Sequence, residues 1–232
     1  MNKKLIPTAS ATAALPANNK HQSRSANTRE LFICAAQKLY AQRSIDSVSI
    51  NEITVAAGQK NRNALQYHFG NREGLLQAIL DRHAGPVHEL RRGYIAQLKT
   101  SPWSSAEASA RLLIMPIADY ISTNPEAIHY VKVLSQMAAL NSDLINPNNR
   151  STINFQPEDE LNEIMYAAFS HLDPSEARRR LFLVVSITFH SIADICRAKD
   201  IESTNNTLRN HKAMFEQLVC AAESLISAPA RG

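Results

Sequence analysis

Asn63, Gln66 and Tyr67 are the residues of this chain whose types and spacing best suit a chemical task. They lie in NRNALQYHF, residues 61–69. At about 100° per residue, a helix over this stretch carries them on one side and Leu65 and Phe69 on the other. Asn and Gln each offer a donor and an acceptor together, the pair that matches an adenine edge. A guanidinium such as that of Arg62 forks onto a guanine or a phosphate, and the phenol of Tyr67 reaches a backbone oxygen. Lys60 adds a cation just ahead of the stretch, and His68 projects nearer the packed side. On a helix taken alone the same residues would be an ordinary solvated face, so the reading depends on the elements around it.

Those elements are legible. Ser49 stands where an N-cap is wanted and Glu52 follows three residues later, the capping-box spacing, with Val48 placed to staple onto Ile53. Ile50, Ile53 and Ala57 recur at helical spacing as an inward stripe. Gly58 then permits a left-handed turn, and the next helix is expected from Asn61 or Arg62 to about His68. Two short helices about a glycine are the one-dimensional form of a helix-turn-helix. Upstream, a helix is expected from Asn27 or Thr28, with Glu30 in its capping box and Leu31, Ala35 and Leu39 beside Phe32, Ala36 and Tyr40 as a broad inward face. Downstream, Asn71 caps a helix whose Leu75, Leu76, Ile79 and Leu80 pack back, and whose first turn sets Arg72 beside the phosphates.

SINEITVAAG, ALQYHF and GNREGLL resemble the tetracycline-repressor-like (TetR) family of transcriptional regulators, over roughly residues 28–80. The resemblance implies an N-terminal three-helix DNA-binding domain, a C-terminal helical ligand-binding domain and a homodimer on an operator. Carried over by position, it gives Ser49 and Arg72 phosphate contacts and makes Tyr67 and His68 the aromatic pair at the end of the recognition helix. The sequence departs from the family's common pattern at Gln66, Ser44 and Val48, and holds one residue more between Gly58 and Leu65. Those departures leave the register of base contacts open.

Composition agrees with a helical, phosphate-facing protein. The 232 residues are 44% hydrophobic with six glycines and a formal charge of +4. That charge is uneven: residues 1–75 hold ten Lys and Arg against four Asp and Glu, and residues 76–232 hold fifteen against seventeen. The basic part is the part with the motif, although a solvated basic tail would give the same balance. Cys34, Cys196 and Cys220 lie far apart among apolar neighbours and read as small buried hydrophobes in a reducing compartment. The longest apolar run, Leu181 to Cys196, is short for a membrane and carries His190 and Asp194. Residues 1–26 lack the apolar core of a signal peptide, and a cytoplasmic protein is expected. No Gly-rich phosphate loop, nucleophile elbow, HExxH or CxxC occurs. No metal or cofactor is expected.

Three regions follow. Residues 1–26 read as a disordered arm in which Lys20, Arg24 and His21 either follow adjacent DNA or trail free. Residues 27–80 form the helix-turn-helix domain, and residues 81–232 a helical effector-binding and dimerisation domain. Gly85-Pro86 interrupts the fourth helix between reader and body. Further helices are expected near 105–123, 125–140, 157–171, 174–199 and 205–227, with a loop over 141–156. Eleven of the sixteen residues from Leu181 to Cys196 are apolar and cover most of the helix circumference. Either a second chain covers part of them, with Leu181, Val185, Phe189, Ile192, Phe215 and Leu218 at the interface, or the helix is simply central. Met115, Tyr120, Tyr130, Met137, Phe169 and His190 are candidates to line an effector pocket, with His190 and Asp194 a buried pair one turn apart.

The chain is thus expected to be an all-α homodimeric regulator, a repressor that binds a palindromic operator in double-stranded DNA and leaves it when a small apolar or amphipathic molecule binds. The alternatives are a DNA-binding regulator without a ligand and a helical enzyme with a basic docking domain.

Overall fold

Apolar residues at three- and four-residue spacing dominate the chain, and helices follow from them. The computed structural model describes residues 17–61, 63–140, 153, 159–198 and 207–230, with backbone alone at 17–23, 138–140 and 159. Among the described residues the elements are α1 (Ala17–Gln42), a 3-10 turn (Ile45–Ser47), α2 (Ile50–Ala56), α3 (Ala64–Phe69), α4 (Arg72–Leu98), α5 (Ser105–Thr123), α6 (Ala127–Leu140), α7 (Asp159–Ala168), α8 (Pro174–Ala198) and α9 (His211–Ser227). These are all helical, as the sequence implies.

The first four helices close on one apolar centre. Phe32, Ile33, Ala36 and Tyr40 from α1 meet Val48, Ile53 from α2, Leu65 from α3, and Leu75 and Ile79 from α4, all essentially inaccessible to water. The body packs α5 on α4, α7 and α9, and α6 on α1 and α8. Its centre includes Leu112, Ile114, Val131, Met137, Val184, Ile192, Val219 and Ile226. Apart from Leu112, both centres belong to one continuous cluster, because α4 runs from the small domain into the body.

Several boundaries differ from the sequence reading. Helix α1 starts at Ala17 rather than at Asn27 or Thr28. Residues 17–26 are therefore helical where an arm was expected, and Lys20, His21 and Arg24 lie within the helix; residues 1–16 lie outside the described residues. Glu30 does not cap the helix but pairs with Arg82 of α4 at 2.7 Å. Leu31 is exposed, and Ile33 and Gln37 take inner places in its stead. In α2, Ile50 is exposed; Thr54 occupies the buried position one turn later and donates from Oγ1 to the Ile50 carbonyl at 2.8 Å. Helix α4 runs as one helix through Gly85-Pro86, where an interruption is expected from the sequence. The proline removes one backbone donor, and the packing on either side holds the helix together regardless. The expected loop 141–156 lies outside the described residues except for Ile153. The start of α9 is His211, with Asn210 Oδ1 accepting from the Ala213 N–H at 3.1 Å as its cap.

Helix α8 is long and apolar enough to cross a membrane by length and composition. Here one of its faces is packed against α6 and α9, with Val184, Thr188, Ile192, Ala193, Ile195 and Cys196 buried. Of the cysteines only Cys196 is buried; Cys34 is half-buried and Cys220 exposed, which corrects the expectation that all three are core hydrophobes.

The turn between α3 and α4 leaves no room for a side chain at Gly74. A Cβ added at Gly74 would stand 2.0 Å from the Phe69 carbonyl oxygen, so a side chain there forces backbone apart. Gly74→Ala is expected to cost about 1–3 kcal/mol through this overpacking, measured by urea unfolding; an unchanged midpoint would refute the close approach.

Candidate nucleic-acid interface

Helix α2 is fixed at its start by a complete capping box. Ser49 Oγ accepts from the Glu52 N–H at 3.2 Å, and Glu52 Oε2 accepts from the Ser49 N–H at 2.8 Å. Arg43 donates to the other carboxylate oxygen at 2.7 Å. The Ser49 backbone N–H, then Arg43, pull the Glu52 carboxyl down to about 2. Ser49 Oγ also donates to Glu52 Oε2 at 2.8 Å, so the hydroxyl expected at a phosphate is already engaged in the cap.

The helix ends at Ala57, and Gly58 follows with φ +67°. This is the left-handed residue the turn requires, and a β-carbon there would be strained. Asn61 Oδ1 accepts from the Asn63 N–H at 2.9 Å and leads the chain into α3. Leu65 is α3's buried anchor at 1% exposure. Phe69 sits edge-on to Phe32 with centroids 6.1 Å apart, beneath the Arg29 guanidinium at 5.0 Å. His68 is half-buried between Phe32 and Tyr67. Burial, then Arg29, lower its pKa and favour the neutral imidazole.

On the opposite side the structure brings Asn63, Gln66 and Tyr67 together in solvent, Tyr67 with 78% of its surface exposed. Lys60 is exposed beside them. Arg62 lies outside the described residues. Arg72 is half-buried, and its Nη1 donates to the Ile45 carbonyl, so part of the guanidinium serves as a strut under the loop between α1 and α2.

The partner of that strut is a residue sequence reasoning missed. Gln136 of α6 accepts from the Ile45 N–H through Oε1 at 2.8 Å and donates from Nε2 to the Tyr40 carbonyl at 2.7 Å. Both peptide groups of Ile45 are thereby held by side chains distant in sequence, one in α4 and one in the body. No local pattern marks a glutamine for this task. A second buried link joins the same regions: His83 of α4 bonds Tyr120 of α5 at 2.8 Å and Gln37 of α1 at 2.9 Å, and stacks on Tyr130 of α6 at 4.3 Å. Burial, then Arg82, depress His83 to about 4, so it is neutral at physiological pH.

The body contains a cavity of about 670 Å³ between α5, α6, α8 and α9, with Met115, Ile128, Lys132, Cys196 and Phe215 in its wall. Of the candidates for an effector pocket only Met115 lines it. Met137 and Phe169 are buried in the core, Tyr120 and Tyr130 belong to the His83 cluster, and His190 faces solvent on the outer stripe of α8. Nor is His190 paired with Asp194, whose carboxylate accepts from Arg197 Nε at 3.0 Å. The expected dimer residues also divide. Ile192, Phe215 and Leu218 are buried by the chain's own helices, while Leu181, Val185 and Phe189 are half-buried and the neighbouring Leu183 and Ile187 are 47% and 38% exposed. The apolar circumference of α8 is thus shared between its own core and an open stripe, which periodicity alone does not apportion.

Replacing Gln136 with Ala leaves the Ile45 N–H and Tyr40 carbonyl short of a partner. The expected cost is about 1–3 kcal/mol, together with faster amide exchange at Ile45 than at Leu65. Equal acceleration at both would mean that Gln136 supports the fold generally and not this loop.

Residues 32–79 match the profile of bacterial regulatory proteins of the tetR family. Over 127 residues, 48% of this chain, the sequence is 22% identical to the HTH-type transcriptional repressor BepR of Brucella suis biovar 1 (strain 1330), covering 60% of that protein. Over 85 residues, 37% of this chain, it is 29% identical to the HTH-type transcriptional regulator AcrR of Shigella flexneri, covering 39%. The chain thus spans between about two fifths and three fifths of the length of these curated relatives. Among solved structures, a TetR-family regulator from Streptomyces coelicolor A3 is similar at 14% identity and a TM-score of 0.43, with 88% of this chain and 96% of that one covered. The helix-turn-helix of residues 32–79 is a tetR-family domain.

Proposed function

We propose that this protein is a cytoplasmic DNA-binding transcriptional regulator, a repressor that grips a palindromic operator as a homodimer and is released by a small amphipathic molecule. The observation that carries the reading is the outer face of α3: Asn63, Gln66 and Tyr67 stand in solvent on a helix whose other face is locked into the small domain. Side chains with paired donors and acceptors, on a rigid rod narrow enough for the major groove, are suited to reading base edges. Lys60 and the unmasked donors of Arg72 would meet phosphates. The relatives named above as a transcriptional repressor and a regulator support the same reading.

The release step has a route. The cavity wall includes Ile128, His129 and Lys132 of α6, and Gln136 lies one turn beyond Lys132 on the same helix. A ligand that shifts α6 would move the Gln136 side chain against Ile45 and tilt the helix-turn-helix. Such a ligand weakens operator binding by as much as operator binding weakens the ligand. The open stripe of α8, led by Leu183 and Ile187, would pair with a second copy of itself across a twofold axis and so set the spacing of the two α3 helices.

Two tests follow. Asn63→Ala or Gln66→Ala should each cost about 1–3 kcal/mol of operator affinity and relax preference at one base pair, whereas Lys60→Ala should weaken all duplexes alike and reduce the salt slope by about 1; uniform losses in all three would remove the base-reading role. Converting Leu183 and Ile187 together to Glu should give a folded monomer by sedimentation velocity, and a persistent dimer would move the interface elsewhere.

A further inference from the structure

The cavity between α5, α6, α8 and α9 has a lopsided chemistry. Its walls are apolar at Met115, Ile121, Ile128 and Phe215, yet Lys132 from α6 and Lys212 from α9 both line it. Neither ammonium has an ion-pair partner among the described residues. The one carboxylate in the wall among the described residues, Asp119, already accepts the Tyr94 hydroxyl at 2.6 Å. His129 also lines the cavity. Two ammonium groups with no carboxylate partner among the described residues, Lys132 half-buried and Lys212 exposed, stand on the wall of an apolar hollow of about 670 Å³ and disfavour a cationic guest. They suit an anion with an apolar body.

We propose that this cavity binds amphipathic carboxylates, with the apolar portion of the molecule against Met115, Ile121, Ile128 and Phe215 and the carboxylate between Lys132 and Lys212. The proposal rests on the cavity as the effector site and specifies the chemical class of the effector. Since Lys132 begins the turn that ends at Gln136, and its carbonyl accepts from Gln136 Nε2 at 3.4 Å, the anion is gripped on the segment that touches the Ile45 loop.

Three probes with ten-carbon chains and different heads decide it: sodium decanoate, decanol and decyltrimethylammonium, titrated into the full chain without DNA by isothermal calorimetry below the micelle concentrations of the two ionic probes and the solubility limit of decanol. Decanoate should bind at least about tenfold more tightly than either of the others, the equivalent of one charge-assisted hydrogen bond. In the double variant Lys132→Gln with Lys212→Gln, that preference should disappear while decanol binding persists, and Ile128→Trp should block both. Equal binding of decanoate and decanol to the unaltered chain overturns the proposal, as does a double variant that keeps the preference. Operator release is read separately by fluorescence anisotropy: if decanoate binds as described and leaves the operator complex intact, the anion site stands and the effector reading fails.

Discussion

Ile45 is the point on which the reading head turns. Its side chain is buried, and its N–H and carbonyl, at the start of the one-turn 3-10 helix between α1 and α2, both take side-chain partners from other elements, each bond worth on the order of 1 kcal/mol. Gln136 satisfies one and Arg72 the other. Because those side chains come from α6 and α4, the position of the loop, and of α2 which starts just after it, is set jointly by the small domain and the body. A helix-turn-helix attached only through its own core would have no such link; this one is also bonded to the body through Gln136.

A second constraint is length. Helix α3 has six residues, far below the dozen or more that hold a helix together in water. It exists because Leu65 is sealed into the centre formed by Phe32, Tyr40, Ile53, Leu75 and Ile79, and because Phe69 is pinned under Arg29. That support uses one face only. The other face is left to polar residues that make no demands on the fold, and so are free to be chosen for a partner. The same division explains why the backbone exits of α2 and α3 are glycines with positive φ, at Gly58 and Gly70: short elements need sharp connections.

What was legible in the sequence was local. The Ser49–Glu52 box, the turn at Gly58, the buried Leu65 and the Asn71 cap each depend on residues within a few positions of one another, and all are present. Signals that depend on tertiary partners were read less well. Ile50 fits the periodic stripe yet faces solvent, because a helix this short turns only one or two of its apolar positions toward α1. Arg72 looks like a free phosphate ligand, but a carbonyl brought in from 27 positions earlier in the chain engages it. Ile192 and Phe215 look like interface residues because periodicity reveals that a surface is apolar without revealing which chain covers it. The His83 cluster leaves no local signal for the same reason, since Gln37, His83, Tyr120 and Tyr130 come from four helices.

The proposed control of the reader by the body rests on two features: a cavity bordered by α6 and the glutamine that α6 extends to the loop of the small domain. Both are consistent with a reader whose grip on DNA is set from a distance. The most direct measurement is selection of duplexes from a randomised pool by the purified chain, followed by a salt titration of the enriched sequence. A dimer reading through α3 must enrich an inverted repeat whose half-sites lie about one helical turn, or a multiple, apart, with log K falling linearly against log salt. A pool that shows no enrichment, or an affinity indifferent to salt, would contradict it.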